Sequence, residues 1–515
     1  MAKRVLSLVT LAVILAACGG TPAAQSPTAA PVAATAAAPT AAAEATAAPE
    51  PTTAPAPTEA PTPTEAAEPA PAPTNTPVAV NTFNPAEAGD RVVVKWFVGL
   101  GAGTQPAQIP LEEEAVRKFN ESQDEIYLAL EIVDNTQAYN VLATRIASGD
   151  VPDIIGPVGV RGRNAFEGQL LDLTELIKAN NIDLSQYPEN LVKYYNVEGQ
   201  GQIGLPYAIY PSFIYFNKDL FDEAGLPYPP QTYGAQYDGK EWNMDTLREL
   251  AMKLTVDEAG NDATSPDFNP DKIVQFGFHG QWVNQDIRSL GTLFGPGSVV
   301  GPDGTAQIPD VWRAAAHWWH DAFFKDHFAP HDSYVNSDEF GNSNVFNSGK
   351  LAMAWTHIWY TCCIADVANW DIAVMPSYAG KVTSKLHADT FSIMKGTKNP
   401  QEAFKVLLYL LESPELIEAY GAMPAVQSKQ AAYFANLDQK FAATNASKVH
   451  WQVALDSLAY PDDPSHEADM PNYVKAQNAL QTFTTALRSD PDLDVDAALD
   501  ELVTNLQSTF DEVKK

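Results

Sequence analysis

The chain has 515 residues, 45% of them hydrophobic, which is enough for two or three ordinary domains with sizeable cores. Its formal net charge of −32 is spread along the chain without a basic run, so we expect neither nucleic acid nor an anionic lipid surface as a partner. The sequence has three cysteines, two of them adjacent, and these cannot supply the disulfide framework of a small secreted scaffold.

The N-terminus has the pattern of an export signal. Lys3 and Arg4 precede an apolar run that is too short to span a bilayer comfortably, which predicts a signal peptide over residues 1–17. The run ends in LAAC, which resembles a bacterial lipobox, and this resemblance implies lipidation of Cys18. The alternative is a small-residue cleavage site followed by a chance cysteine. We therefore expect an extracytoplasmic protein that is anchored to the cell membrane by its N-terminal lipid.

Residues 18–85 consist almost entirely of Ala, Pro, Thr and Glu, as in PTTAPAPTEAPTPTEAAEPAPAPT. Such a composition buries too little apolar surface to offset chain entropy, and its frequent prolines keep the backbone extended. The sequence therefore predicts a disordered, lipid-anchored linker with an average end-to-end distance of about 45 Å or more.

The first elements after the linker alternate between strand and helix. In order, RVVVKWFVG (91–99) predicts a buried strand, PLEEEAVRKFNES a helix, IYLALEIVD a strand, YNVLATRIASG a helix and PDIIGP a short buried strand. This alternation is typical of βαβ units on a mostly parallel sheet, in which ligands bind beyond the carboxyl ends of the strands. The predicted fold class is α/β.

Glycine-rich loops follow two of these strands, GLGAGTQP after the first and GPVGVRGR after the third. The G-x-G-x-G of the first loop lacks the final glycine of a dinucleotide fingerprint, so it is weak evidence for a nucleotide. It fits a loop whose backbone lets a ligand approach closely. Thr104 and Gln105 are candidate hydrogen-bonding residues on this loop, and an ordinary turn is the alternative.

The second half of the chain is richer in helix. EWNMDTLRELAMKLT and VWRAAAHWWHDAFFKDHFAP predict helices, whereas IVQFGFHG, NWDIAVMPSY and DTFSIMKG predict strands. From PQEAFKVLLYLLES onward the chain is predicted to be chiefly helical.

Several segments, taken in order, resemble the family 1 extracellular solute-binding proteins, the maltose-binding-like receptors of ABC importers. They are PDIIGP, LLDLTELI, GQIGLPYAIYPSFIYFNKDLFDEAGL, FNSGKLAMAWTHIWY, WDIAVMPSY, SIMKGTKNPQEAFKVLLYLLESPE and GAMPAVQS. The resemblance implies a two-lobed periplasmic-binding-protein-like fold of type II with a central cleft and a hinge. By analogy, residues 86–211 and 371–424 form lobe one, and residues 212–370 and 425–515 form lobe two.

The resemblance also implies a function. A receptor of this family binds a sugar or oligosaccharide between its lobes and passes it to the permease subunits of an ABC transporter, and we expect a monomer with neither cofactor nor catalysis. A ligand-sensing lipoprotein of the same fold and a binder of a non-sugar solute are alternatives. A secreted carbohydrate-active hydrolase is a competing class, but the sequence has no G-x-S-x-G motif and no carboxylate pair that stands out.

Sugars offer flat C–H faces and rings of hydroxyls, so their receptors stack them on aromatic side chains and flank them with carboxylates and amides. Trp355 stands where the family often has a cleft tryptophan, Trp359 follows it, and Trp282 follows a predicted strand end. Tyr207 and Tyr210 come just before the predicted hinge. For each of them core packing is the alternative, because buried aromatic residues are common.

Two carboxylates complete the predicted ligand site. Asp153 precedes a strand, where a local backbone cap is as common as a ligand contact. Asp389 lies in LHADTFSI, where many sugar receptors of the family have a glycine-rich turn, so the sequence departs from the family pattern there.

The stretch AWTHIWYTCC (354–363) allows two interpretations. Trp355, Ile358, Trp359 and Cys362 have the spacing of one apolar helical face, which predicts a short helix beginning at Trp355. If the stretch holds a ligand, its first turn faces the cleft. Cys362 and Cys363 are expected to be buried free thiols, and a strained vicinal disulfide is the alternative.

Two patterns resemble metal sites, and the sequence favours neither. DEAGNDATSPDFNPD (257–271) is rich in oxygen ligands but lacks the spacing of an EF-hand calcium loop. His317, His320 and His327 fall on a tryptophan-rich predicted helix without an H-E-x-x-H pattern, so a partly exposed helical face is favoured over a zinc site.

Overall fold

The computed structural model describes residues 80–197 and 199–513. The predicted signal peptide, Cys18 and most of the predicted linker lie outside the described residues. The strands are β1 Val80–Asn81, β2 Val92–Val98, β3 Ile126–Ile132, β4 Ile154–Val158, β5 Asn196–Val197, β6 Gly201–Gln202, β7 Ala208–Asn217, β8 Gln236–Tyr237, β9 Lys240–Glu241, β10 Val256–Asp257, β11 Ile273–Gly280, β12 Leu351–His357, β13 Trp370–Ala373, β14 Ser377–Tyr378, β15 Lys381–Val382, β16 Leu386–Ile393 and β17 Met423–Pro424.

The α-helices are α1 Pro85–Ala88, α2 Ile109–Ser122, α3 Ala138–Ser148, α4 Val160–Ala165, α5 Thr174–Ala179, α6 Glu189–Tyr194, α7 Lys218–Ala224, α8 Met244–Lys253, α9 Ile287–Gly291, α10 Asp310–Phe324, α11 Asp332–Val335, α12 Pro400–Glu412, α13 Pro414–Ala419, α14 Gln427–Phe441, α15 Gln452–Asp456, α16 Tyr473–Ser489 and α17 Val495–Glu512. Short 3₁₀ turns cover Leu184–Gln186, Pro270–Lys272, Asp338–Phe340, Phe346–Ser348, Ile358–Cys362 and Ser457–Ala459. Within the described residues, no helix is long and apolar enough to cross a membrane.

A large mixed sheet organises the fold. Its strands follow the order β1-β3-β2-β4-β16-β7-β12-β11-β10, and β13 and β17 also pair with β7. Every residue of β3, β7 and β12 is buried, which explains why these strands appear in the sequence as continuous apolar runs and not as alternating patterns. Helices cover the sheet: α2 contacts β3, α12 contacts β16, and α8 contacts β11.

The prediction of a mostly parallel sheet is wrong for much of the molecule. β2 pairs in parallel with β3 and β4, and β11 pairs in parallel with β12. In contrast, β7 is antiparallel to all of its neighbours β12, β13, β16 and β17. Strands and helices alternate in the sequence only in its first half. No sequence pattern indicated the antiparallel pairing of the strands around β7.

Strand β7 connects two sets of strands. Its residues 208–211 pair with β16 and β17, and its residues 212–217 pair with β12 and β13. This change of partners falls at Pro211, where the family resemblance places the first lobe crossing. Residues 371–373, which the prediction assigns to lobe one, pair in β13 with the second part of β7 instead. The chain returns to the first set along β16, whose residues 390–393 pair with β4.

The boundary of the linker at residue 85 is placed too late. Val80 and Asn81 pair with β3, and the backbone N–H of Leu130 donates to Oγ1 of Thr82 at 2.9 Å. Asn84 then caps α1 by accepting from the backbone N–H of Ala86. Few large side chains mark this segment, so composition alone extended the linker into it.

Candidate functional site

Polar side chains are buried or half-buried where β16 crosses β7 and meets the loop before α16. We call this group the crossing cluster, and it consists of His357, His387, Asp389, Asp462, His466 and Glu467. His387 and Asp389 belong to the part of β16 that pairs with β7. Because a buried polar group without a partner is costly, such a concentration at one place indicates a binding site.

Asp462 orients His466. Its Oδ2 accepts from the backbone N–H of His466 at 2.8 Å and lies 2.7 Å from the imidazole Nδ1. Burial lowers the pKa of His466 well below its usual value, so the ring is neutral and Nδ1 carries the proton that it donates to Asp462. The other nitrogen, Nε2, is buried and meets no hydrogen-bond partner within residues 80–197 and 199–513. It is therefore a free acceptor.

His357 repeats this arrangement from the end of β12. Its Nδ1 donates to the carbonyl of Tyr210 at 2.6 Å, and burial keeps the pKa of the imidazole well below its usual value. Its Nε2 is also without a hydrogen-bond partner among the residues that the structure describes. The ring lies 4.4 Å from that of His387, which in turn lies 4.7 Å from that of His466, measured between centroids.

Glu467 joins the cluster to α4. Its Oε2 accepts from the backbone N–H of Arg161 at 3.2 Å, and its carbonyl accepts from Nδ2 of Asn164 at 2.7 Å. Its Oε1 lies 3.7 Å from Nδ1 of His387. Burial acts to raise the pKa of Glu467, but the adjacent histidines and Arg161 hold it below its usual range. Glu467 is therefore ionised.

Asp389 holds its proton more strongly. Burial and the negative charge of Glu467 raise its pKa to about 7. The two carboxyl groups face the same glycine, because a Cβ on Gly159 would meet Oδ1 of Asp389 at 3.1 Å and Oε2 of Glu467 at 3.2 Å. In its protonated form Asp389 presents a donor beside the carboxylate of Glu467, so the pair offers both a donor and an acceptor to a ligand hydroxyl.

Cationic side chains lie near the cluster. Arg161 stacks on the ring of Tyr139 at 4.4 Å, and Lys385 donates from Nζ to Oγ of Ser289 at 2.7 Å. Burial lowers the pKa of Lys385 to about 8. On the side of α9, Arg288 lies 3.3 Å from Asp286. The site therefore contains charges of both signs.

The predicted stacking residues lie together beside the crossing cluster. The indoles of Trp282 and Trp359 are parallel, and the ring of Trp359 also stacks with that of His357 at 5.8 Å. Both indoles are half-buried. Trp355 is fully buried in β12, and the ammonium of Lys385 lies 5.8 Å from its ring. The prediction that Trp355 begins a helix is wrong, because β12 continues to His357 and is followed by a 3₁₀ turn.

Tyr207 and Tyr210 lie in or next to β7 and are buried. Tyr207 contacts the rings of Phe391 and Tyr420 at centroid distances of 4.9 and 6.5 Å. Tyr210 supports the cluster through its carbonyl, the acceptor for His357. Neither tyrosine presents an open aromatic face in this arrangement, so their contribution is to the walls of the site.

The structure does not bring Asp153 to the crossing cluster. It lies before β4, where Oδ2 accepts from the backbone N–H of Lys95 at 2.8 Å and Oδ1 accepts from the hydroxyl of Thr397. It is therefore the backbone cap that sequence analysis gave as the alternative. Thr104 and Gln105 follow β2, half-buried and exposed, and the N–H of Gln105 donates to Gln108 at 3.2 Å within the turn.

Sequence reasoning missed most of the cluster. His387, Asp462, His466 and Glu467 were not predicted as site residues, and neither were Arg161, Arg288 and Lys385. One signal was present: DDPSHEAD (462–469) places a histidine among carboxylates in a loop without an apolar pattern. Its partners on β16 lie far away in the sequence, so the grouping could not be deduced without the fold.

The cysteine pair forms a disulfide between Cys362 and Cys363. The expectation of free thiols is therefore wrong, and the alternative is confirmed. The bond closes the 3₁₀ turn that carries Trp359, so it lies next to the stacked indoles.

The sequence patterns considered for metals have other partners. Asp257 accepts backbone N–H bonds from Ala259, Asn261 and Asn269, each at 2.9 Å, so its carboxylate organises the loop 257–271. His317 bonds to Asp496 and His320 to the carbonyl of Asp490. His327 lies beyond the end of α10, so the three histidines do not share a helical face as predicted.

Comparisons with known proteins define the class. The family model for bacterial extracellular solute-binding proteins matches residues 104–416. The chain therefore belongs to this family.

The predicted α/β periplasmic-binding-protein-like fold is confirmed by solved relatives. An ABC substrate-binding protein of Listeria monocytogenes, in complex with cycloalternan, has a TM-score of 0.62 at 18% identity and covers 82% of this chain and 100% of its own. A maltose-bound protein of T. maritima, MalE3, has a TM-score of 0.60 at 17% identity, with 81% and 99% covered.

The curated relatives match shorter parts of this chain than the solved structures do. A putative binding protein of Brucella abortus is 24% identical over 312 residues, which are 59% of this chain and 69% of the relative. A periplasmic sn-glycerol-3-phosphate-binding protein of Rhizobium meliloti is 29% identical over 146 residues, which are 27% of this chain and 33% of the relative. Both the family and these relatives are binding proteins.

Proposed function

We propose that this protein is an extracytoplasmic receptor that binds a sugar or oligosaccharide at the crossing cluster and delivers it to the permease of an ABC importer. The observation that carries the proposal is a combination of two features at the place where two sets of strands meet: buried acceptors that have no hydrogen-bond partner among the described residues, and adjacent half-buried indoles. Nε2 of His357 and Nε2 of His466 accept from hydroxyls, Asp389 and Glu467 supply a donor and acceptors, and Trp282 with Trp359 offers an aromatic face.

Family membership and the ligands of the solved relatives support this class of solute. The relatives include proteins in complex with cycloalternan, maltose, ribitol and tagatose. In this proposal the two lobes are the two strand sets joined by β7, and the hinge lies near Pro211, where β7 changes partners. Closure of the lobes excludes water, which strengthens the polar contacts with the solute.

The test is a melting-temperature screen of the full chain against maltose, maltotriose, tagatose, ribitol and sn-glycerol 3-phosphate, followed by calorimetric titration of any stabilising compound. A ligand at 100 times its Kd stabilises the folded state by about 2.7 kcal/mol, which such a screen detects. A sugar or polyol among the stabilising compounds supports the proposal. Stabilisation by the phosphate ester alone assigns the site to a phosphorylated solute. Turnover of a glycoside by the purified protein would make it an enzyme and contradict the proposal.

The receptor is proposed to be a lipoprotein anchored through Cys18, which holds it beside the permease. The LAAC ending of the signal supports this. Cys18→Ala should abolish metabolic labelling with palmitate and separate the protein from the membrane fraction, while Cys362→Ala should leave labelling unchanged. Labelling that persists in the Cys18 variant contradicts the anchor.

A further inference from the structure

Two histidines and a glutamate of the crossing cluster converge on one point. His387, His466 and Glu467 each offer one ligand atom, and these atoms all lie within 4.8 Å of one another. The residues come from β16 and from the loop before α16, so the fold, and not a local sequence motif, brings them together. The function proposed above uses His466 and Glu467 as hydrogen-bonding groups, gives His387 no role and does not require all three at one point.

We propose that His387, His466 and Glu467 bind a divalent transition-metal ion of the class that prefers imidazole, such as Zn²⁺, Ni²⁺ or Co²⁺. The proposal goes beyond the solute-binding function. An ion at this point occupies Nε2 of His466 and the carboxylate of Glu467, so the ion and a solute that contacts these groups compete. Imidazole and carboxylate together suit these ions, whereas Ca²⁺ and Mg²⁺ prefer sites made of oxygen ligands.

The distances fit such an ion. Nδ1 of His387 lies 3.7 Å from Oε1 of Glu467, which is too long for a hydrogen bond. Tetrahedral coordination with bonds of about 2.0–2.1 Å places neighbouring ligand atoms about 3.4 Å apart. Small rotations of the side chains therefore bring the pair onto one ion. All three ligand atoms lie within 4.8 Å of one another, so modest rotations bring them to the spacing that an ion requires.

The surroundings of His466 match those of a metal ligand. A ligating histidine almost always donates its second ring nitrogen to a carboxylate or a carbonyl, which fixes the tautomer and points the free nitrogen at the ion. Here Asp462 lies 2.7 Å from Nδ1 of His466 and also holds its backbone N–H. Nε2 is left buried and unpartnered within the part of the chain that the structure describes. The side chain of His466 is only 4% exposed, so bulk water does not satisfy this acceptor.

His357 lies beside the three residues but does not belong to the group whose ligand atoms converge. Its Nδ1 is tied to the carbonyl of Tyr210 at 2.6 Å, and its buried Nε2 has no protein partner in the described ranges. The ring lies 4.4 Å from that of His387. Three protein ligands leave the fourth position of a tetrahedral ion open to water or to a further ligand.

The test measures metal binding by the full chain without a polyhistidine tag, after dialysis against a chelator and in the absence of any sugar. Calorimetric titration with Zn²⁺ should give one ion per chain, and Co²⁺ should give the visible absorption bands of a four-coordinate site. His466→Gln and Glu467→Gln should each weaken Zn²⁺ binding more than about 100-fold. Asp462→Asn, which changes only an outer partner, should weaken it about 10- to 100-fold. His317→Gln, on the exposed side of α10, is the matched control and should leave the affinity unchanged.

Two results overturn the proposal. One is the absence of stoichiometric Zn²⁺ and Co²⁺ binding by the wild-type chain, and the other is unchanged binding in a His387→Asn, Glu467→Gln variant. Melting curves in the presence of chelator establish that each variant is folded. If His466→Gln does not fold, His387→Asn replaces it, because the side chain of His387 is 23% exposed and less embedded in the core. Sugar titrations in chelator test the receptor function separately, so failure of one proposal leaves the other measurable.

Discussion

The indoles of Trp282 and Trp359 lie face to face, with centroids 5.9 Å apart and planes inclined by 13°. Trp282 has a φ of +59°, a conformation uncommon for a residue with a side chain, and its Nε1 donates to the carbonyl of Ser343 at 2.9 Å. A backbone in this conformation is maintained by its surroundings at a cost of order 1–3 kcal/mol. The pair is therefore fixed in place beside His357.

Trp359→Ala should weaken binding of the solute about ten- to a hundredfold, because stacking and the covered apolar area are worth about 1–3 kcal/mol. The side chain is half-buried, so the apo melting temperature should change little. Titration calorimetry and apo melting curves measure the two effects. Tyr228→Ala, an exposed aromatic residue on another part of the surface, is the control and should leave affinity unchanged. Full affinity in the Trp359 variant would remove the indole pair from the site.

Gly159→Ala should weaken solute binding, and apo melting curves measure the loss of stability that accompanies it. Its Cβ would meet Oδ1 of Asp389 at 3.1 Å, Oε2 of Glu467 at 3.2 Å and the backbone carbonyl oxygen of Ala388 at 3.2 Å, so the two carboxyl groups and the backbone of β16 would have to shift by a few tenths of an ångström. Gly280→Ala is the control, since its new Cβ would make only ordinary contacts at 3.4 Å or more. Titration calorimetry on both variants decides the matter, and equal affinities for the two would argue against a role for this carboxyl pair.

The buried carboxyl group of Glu112 should make the free energy of unfolding fall as pH rises. It is fully buried in the first turn of α2, and burial raises its pKa to about 8, although the hydroxyl of Tyr420 donates to Oε1 at 2.7 Å. The folded state therefore keeps a proton that the unfolded state loses near pH 4.5. Stability contributed by this group is present below pH 4.5 and falls between about pH 4.5 and 8, with a slope of at most about 1.4 kcal/mol per pH unit.

Glu112→Gln should remove this slope, so the variant gains stability over wild type as pH rises from about 4.5 to 8. Urea unfolding at several pH values measures the difference between the two proteins. Glu223→Gln, at an exposed position on α7, should follow wild type closely. A Glu112→Gln curve parallel to that of wild type across this range would mean that Glu112 is ionised in the folded protein.

The disulfide between Cys362 and Cys363 predicts that neither thiol reacts in the unreduced protein. In a Cys18→Ser chain, a thiol reagent under denaturing conditions should label no cysteine before reduction and two after it. Mass spectrometry of the peptide that contains both residues provides the count. Two labelled thiols without reduction would restore the expectation of free cysteines.

How far the sequence could predict this fold depended on burial. Apolar runs such as IVQFGFHG and RVVVKWFVG correspond to β11 and β2, because strands buried on both faces need no alternation. The same property hides the strand at Trp355. Every residue of β12 is buried, so the strand shows no period of two. The helical spacing of Trp355 with Ile358, Trp359 and Cys362 arose by coincidence, because the last three lie in the 3₁₀ turn after the strand.

The candidate site was predicted only in part for a related reason. Trp282 and Trp359 were recognisable as aromatic residues near strand ends, and they do lie together. The pairing of His387 with Tyr210 and the approach of Glu467 to Arg161 depend on where β16 and the loop before α16 cross β7. Residues so far apart in the chain form no local spacing pattern from which their contact could be predicted.

Substitutions of Trp355 can distinguish a role in the protein core from a role in ligand binding. Its side chain is fully buried, and its strand lies between β7, where Trp355 pairs with Ile214, and β11, where it pairs with Gly280. Trp355→Ala should therefore lower the free energy of unfolding by about 3–5 kcal/mol. Trp355→Phe keeps part of the apolar volume and removes Nε1–H, which meets no hydrogen-bond partner among the described residues, so it should cost much less.

Urea unfolding of the apo protein gives both values, and titration calorimetry with the identified solute gives the affinities. A large loss of stability in Trp355→Ala, together with near wild-type affinity in Trp355→Phe, assigns this indole to the core under the site. Unchanged unfolding with lost affinity would mean that the indole contacts the solute and that the lobes open far enough to expose it.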